Sequence, residues 1–143
     1  MRHLFLCGAV LLVLSFPSQS LAQRRRAQAC LSYEPELVTV TGTIRTRTFA
    51  EPPNYESDAK GDAREDVWVV RLAKPLCVSA KGDAEAEKNV TDLQLVFPEG
   101  QKQYDQYRSL KGRRVSIKGT LFHAETGHHH TKVLLTVTSI RKA

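Results

Sequence analysis

The sequence predicts a mainly β fold: a five-stranded, OB-like Greek-key barrel with one short helix between strands three and four. Three observations carry this expectation. Five runs are apolar and β-rich, most of them alternating with the period of two expected of half-buried strands. A single stretch with helical spacing falls after the third run. Val38-Thr-Val-Thr-Gly-Thr-Ile44 and Val115-Ser-Ile-Lys-Gly-Thr-Leu121 also share one pattern, which puts a mid-strand glycine in strands one and four. A small barrel needs sharp bends of this kind to close.

In strand one, Val38, Val40, Gly42 and Ile44 alternate with Thr39, Thr41, Thr43 and Arg45. A loop of turn formers, Glu51-Pro-Pro-Asn-Tyr-Glu-Ser-Asp-Ala-Lys-Gly-Asp62, leads to strand two, Val67 to Val78. There Trp68, Val70 and Leu72 share one face, with Val69 and Arg71 on the other. A polar stretch, Ser79 to Asn89, precedes strand three, in which Leu93, Leu95 and Phe97 alternate with Asp92, Gln94 and Val96 before Pro98 ends it. Between Glu99 and Lys111 the spacing of Tyr104, Tyr107 and Leu110 predicts a short helix, and Gly112 stands where a left-handed cap belongs. Val115, Ile117, Gly119 and Leu121 make strand four, and Val133 to Ile140 make strand five.

The chain divides into a signal peptide over 1–22, an amino-terminal arm over 23–36 and the barrel domain over 37–143. Arg2 and His3 followed by the apolar stretch Leu4 to Phe16 and the small residues around Ser20-Leu21-Ala22 form an export signal, with maturation expected at Gln23. Cys7 leaves with it. No later run approaches the roughly 20 apolar residues of a spanning helix. Cys30 and Cys77 are an even pair in an exported chain and read as one disulfide, with two free buried thiols as the alternative. The bridge closes a loop of about 48 residues and restricts the unfolded chain by about 4 kcal/mol.

The net charge of +6 is concentrated outside the barrel. Arg2 and Arg24, Arg25 and Arg26 account for four of the 21 basic residues, which leaves 17 against 15 acidic ones. Strands two and three also lack an aromatic platform on the face opposite Trp68. Both facts argue against nucleic acid as the partner.

The residues that carry chemistry cluster between strands four and five. His123-Ala-Glu-Thr-Gly-His-His-His-Thr-Lys132 contains four of the five histidines, and imidazole is the commonest metal ligand. A three-residue hairpin loop, Glu125-Thr126-Gly127 with Gly127 left-handed, places His123 opposite His129 and leaves His128 and His130 on the other face. Opposed Cβ atoms lie about 4.5 to 5.5 Å apart, close enough for two imidazoles to share an ion. Glu125, or an acidic group from Asp58 to Asp66, is the candidate third ligand. Zinc or copper(II) suits such donors. The alternative is a polar turn in which His123 packs on the barrel. Arg45, Arg47 and Arg71 lie on outward faces, where they can cradle a carboxylate or phosphate if strands one and two pair, and Tyr55 in the intervening loop can stack on a base or sugar. A solvated sheet face and a turn-packing tyrosine are the plain readings of these residues.

The stretches Pro53-Asn-Tyr-Glu-Ser57 with Lys60-Gly-Asp62, Lys74-Pro-Leu-Cys77, Gly112 to Val115, and above all Gly119-Thr-Leu-Phe-His-Ala-Glu-Thr-Gly-His-His-His-Thr131 resemble an exported bacterial family catalogued as a domain of unknown function. The resemblance spans roughly Tyr33 to Ile140. It implies an envelope or secreted location and a barrel-like β domain, and it implies no activity. The sequence has no nucleophile elbow, no His-Glu-x-x-His and no phosphate-binding glycine loop. The expected function is therefore a non-enzymatic, exported binding or interaction module for an envelope ligand or protein. A metal-binding protein, or a weak metal-dependent hydrolase using the histidine cluster, is the alternative.

Overall fold

Alternation along each strand decides which side chains meet inside. In the computed structural model, which describes residues 29–50 and 63–143, the elements are β1 (Leu37–Ala50), β2 (Arg64–Val78), β3 (Glu87–Val96), α1 (Gln101–Tyr107), β4 (Arg114–His123) and β5 (Val133–Lys142). One turn of 3-10 helix, Arg108–Leu110, extends α1. The strands close into a ring in the order β1-β2-β3-β5-β4, with β4 returning to β1. Every pairing is antiparallel except that of β3 with β5. This is the mainly β, five-stranded fold class that the sequence predicts, with its helix between β3 and β4.

The interior follows from the register. Ile44 opposes Val70, Val70 opposes Leu93, Leu95 opposes Leu135 and Leu135 opposes Leu121, and all six are buried. Each such side chain contributes about 1.5–3 kcal/mol by leaving water. Trp68 belongs to this core: Phe97 and Tyr104 meet its ring edge-on at 5.6 and 5.2 Å, and Tyr107 and Leu110 are buried beside them. Gly112 has φ of +73°, as its capping position predicts, and its N–H donates to the Ile44 carbonyl at 2.9 Å.

Ring closure depends on glycine at two places. Gly42 belongs to both ladders of β1, facing Leu72 on one side and Val115 on the other. A side chain there would run into the Arg71 carbonyl. At Gly119 it would strike the Thr136 carbonyl, next to a register shift between β4 and β5. The shared Gly-Thr pattern thus marks the two close approaches.

Cys30 and Cys77 form a disulfide, and the adjoining residues are seated on the barrel. The Leu31 N–H donates to the Cys77 carbonyl at 2.8 Å, the Glu34 N–H donates to Leu121 at 2.7 Å, and buried Tyr33 donates its hydroxyl to the Glu85 carbonyl at 3.0 Å. The signal region, Cys7, Arg24 to Arg26 and the loop containing Tyr55 lie outside the described residues. Among the described residues, no helix is long and apolar enough to cross a membrane.

Candidate functional site

The outer face of the barrel is where the structure departs most from simple alternation. Val69, Gln94, Leu134 and Phe122 follow one another across β2, β3, β5 and β4 on the outside of the ring. Val69 and Leu134 are nevertheless fully buried, and Gln94 is only 7% exposed. The segment 124–132 covers this row by folding back over it.

The cover is attached by hydrogen bonds. The Gln94 side-chain amide donates to the His128 carbonyl at 2.9 Å, and its oxygen accepts the His130 N–H at 2.7 Å. The Gln94 backbone N–H donates to the Thr131 hydroxyl at 2.9 Å, which in turn donates to the Val133 carbonyl at 2.7 Å. A buried amide with both ends satisfied is a specific clamp, since losing either end would strand polar groups away from water.

This geometry corrects the expected hairpin. His123 faces Val133, not His129, and β5 begins at Val133, so nine residues separate the strands in place of three. Gly127 is not among the glycines with positive φ. The physical reason lies in the buried run Val133 to Leu135: Leu134 must sit beside Gln94 of β3, and the clamp holds residues 128–131 off the ladder. Face alternation therefore does not sort these histidines.

They are instead sorted by carboxylates. The His130 Nε2 lies 2.9 Å from Glu65 Oε2, and His128 Nδ1 lies 3.4 Å from that same oxygen. Phe49, opposite Glu65 at the end of the β1–β2 ladder, stacks on the His130 ring with centroids 4.2 Å apart. His129 turns inward: its Nδ1 accepts the N–H groups of Glu125 and Thr126 at 2.9 and 3.3 Å, which puts its ring proton on Nε2. His123, at the root of the segment, reaches Glu87 Oε1 at 3.4 Å, while Lys132 reaches Oε2 at 3.3 Å. Tyr33 packs edge-on against His123, and burial, then the charge of Glu87, holds its hydroxyl above the usual phenol value.

Residues 92–141 match the model of a domain of unknown function (DUF4431). The matched stretch runs from Asp92 on β3 to Arg141 on β5, so it takes in Gln94, the helix and the four histidines from His123 to His130. Phe49, Glu65 and the arginines of β1 lie before it. No curated protein matches the chain.

β1 and β2 pair, and they place the arginines as follows. Arg47 sits over Phe49, 4.9 Å from the ring centroid, next to the His130 stack. Arg45 projects outward two residues away and is exposed. Arg71 is held by Asp92 of β3 at 2.6 Å, so its charge is already partnered. Among the described residues, no group of three or more His, Cys, Asp and Glu side chains converges in an arrangement that could hold a metal ion.

Sequence reasoning named the histidines and missed Gln94, Glu87 and Phe49, while Glu65 fell inside the acidic stretch considered. A signal for Gln94 was present. Val67-Trp-Val-Val70 and Val133-Leu-Leu135 are unbroken apolar runs, and such runs indicate strands covered on both faces. Something had to cover the outer side of β2 and β5, and the segment between β4 and β5 does so.

Proposed function

We propose that the protein is an exported, non-enzymatic binding module whose working face is the outer surface where the segment 124–132 meets the end of the β1–β2 ladder. The clamp at Gln94 is the observation that carries this reading. It fixes His128 and His130 beside Phe49, Arg47 and Glu65, so the exposed His128 imidazole, the Glu65 carboxylate and the Arg47 guanidinium are preorganised on one patch over the buried His130 ring stacked on Phe49. The disulfide and the signal-like first 22 residues support export. Chemical-shift mapping of the labelled protein against soluble bacterial envelope extract tests it. Perturbed amides are expected at 45–49, 65–69 and 125–131, and perturbations confined to α1 would overturn it.

A metal-binding reading, with zinc or copper(II) on His128 and His130, draws on one observation: both rings meet a single Glu65 oxygen. Calorimetry of tagless protein with each metal decides it. Micromolar binding that disappears in the variant carrying His128→Ala and His130→Ala supports the metal, and the absence of heat ends it.

A further inference from the structure

β1 changes neighbours at Gly42. Before that residue it is bonded to β4 alone, because its ladder with β2 begins at Gly42 opposite Leu72. Beyond Leu72, the pairing of β2 with β3 is irregular, and Cys77 is tied to Cys30. A cleft of about 300 Å³ opens between the strands, lined by Thr39, Thr41, Leu72, Lys74, Leu76 and Arg114 among others. That volume lies at the small end of ligand sites. Leu72 and Leu76 give it an apolar floor, while exposed Lys74 and Arg114 and the hydroxyls of Thr39 and Thr41 supply polar groups.

On the β1, β4 and β5 side of the cleft the strands carry one sign of charge. β1, β4 and β5 contain no Asp or Glu, yet carry Arg45, Arg47, Arg114, Lys118, Arg141 and Lys142. Across the outer face Thr39 opposes Lys118, Thr41 opposes Ser116, and Ser116 opposes Arg141, so cations are interleaved with hydroxyls. Lys74, Arg114, Lys118 and Arg141 form no ion pair with a described residue. No aromatic ring lines the cleft, so a nucleic-acid base has no platform there. Its flanks present hydroxyls, where a membrane-inserting face presents apolar side chains.

We propose that this cleft binds a carboxylate-bearing saccharide, with Lys74 and Arg114 taking the carboxylate, Thr39 and Thr41 bonding ring hydroxyls, and Lys118 and Arg141 guiding the rest of the chain. The site is separate from the face beneath residues 124–132, so either reading can fail alone. The test titrates the labelled full chain with an oligogalacturonate hexamer, with maltohexaose, a dT oligonucleotide and anionic phospholipid vesicles as parallel arms. The hexamer is expected to move the amides of residues 39–41, 74 and 114 and to bind more weakly as salt rises. Lys74→Ala and Arg114→Ala are each expected to weaken it about tenfold, as for one charged hydrogen bond, and Lys102→Ala to leave it unchanged. The shift map of the unaltered protein decides the matter on its own if a variant misfolds. No shift at millimolar hexamer, shifts confined to 125–131, wild-type binding by both cleft variants, or equal binding of maltohexaose, DNA or vesicles would overturn the proposal.

Discussion

The segment 124–132 is held at two ends by histidine and carboxylate, and the two ends are built differently. At its root, Glu87 has a side chain only 10% exposed and is met by His123 and Lys132, with Tyr33 of the disulfide-tied amino-terminal stretch packed behind. Nearer its tip, Glu65 is 31% exposed and is met by two imidazoles, one of which is stacked on Phe49. The root is joined to the core through buried Tyr33. The tip is held from beneath by Gln94, which leaves the His128 ring and part of the Glu65 carboxylate at the surface while the His130 ring stays buried against Phe49. A buried carboxylate with fixed partners serves stability, whereas the half-exposed one between two imidazoles belongs, on the proposed reading, to the working face.

The largest perturbation of this contrast is reduction of Cys30–Cys77. Joining cysteines 47 positions apart restrains the unfolded chain by about 4 kcal/mol, so urea unfolding of the reduced protein should show a loss near that size. The loss should be local as well. Faster hydrogen exchange is expected first at Leu31 and Glu34, whose N–H groups are bonded beside the bridge, while the His130 amide stays protected. Equal loss of protection at His130 would mean that root and tip are one cooperative unit.

Gln94→Ala attacks the tip from below. It removes two hydrogen bonds and strands the His128 carbonyl and the His130 N–H, for an expected cost of about 2–3 kcal/mol. Exchange should accelerate at His130 with little change at Glu34. Gln94→Glu keeps the acceptor for the His130 N–H but sets a buried carboxylate oxygen against the His128 carbonyl, so it should cost at least as much as Gln94→Ala. A Gln94→Ala protein as stable as the wild type would show that the segment is held by apolar cover alone.

The closed five-stranded ring, the order of elements along the chain and the capping glycine were legible because they rest on local periodicity and on glycine geometry. The histidine arrangement was not. A short hairpin follows from Thr-Gly and alternation, but what decides the loop is a glutamine 37 residues before Thr131, on a different strand. Nothing in the local pattern around His128 reports such a partner. Glu87 was equally hidden, because it lies in a polar stretch that reads as loop and is instead the first residue of β3. The two carboxylates reach their histidines only through the ring closure that brings β2, β3 and the β4–β5 segment together.

Charge removal separates the two ends on a smaller scale. Glu87→Gln keeps the shape and loses the charge at a buried position, with an expected cost of about 1 kcal/mol, since Lys132 is exposed and screened. Glu65→Gln should change stability by less than about 0.5 kcal/mol. Both follow from urea midpoints at neutral pH and low salt. A cost at Glu65 equal to that at Glu87 would erase the distinction between a stabilising end and a presenting one.

The smallest effect is also the most selective, because each carboxylate acts on a different tyrosine. Burial raises the Tyr33 hydroxyl above its ordinary value of 10.0, with Glu87 adding to the rise; burial raises Tyr104 likewise, with Glu65 adding to it. A raised phenol favours the neutral form in the folded state. The stability it contributes is complete below the unfolded value and is lost as pH climbs through the folded one. Alkaline titration followed by phenolate absorbance should therefore show two late-ionising tyrosines, with unfolding favoured above pH 10. Glu87→Gln should lower the ionisation of Tyr33 alone, and Glu65→Gln that of Tyr104 alone, with Tyr33→Phe and Tyr104→Phe assigning the two steps. If either substitution moves both tyrosines, the two carboxylates are coupled through the segment between them, and root and tip act as one site.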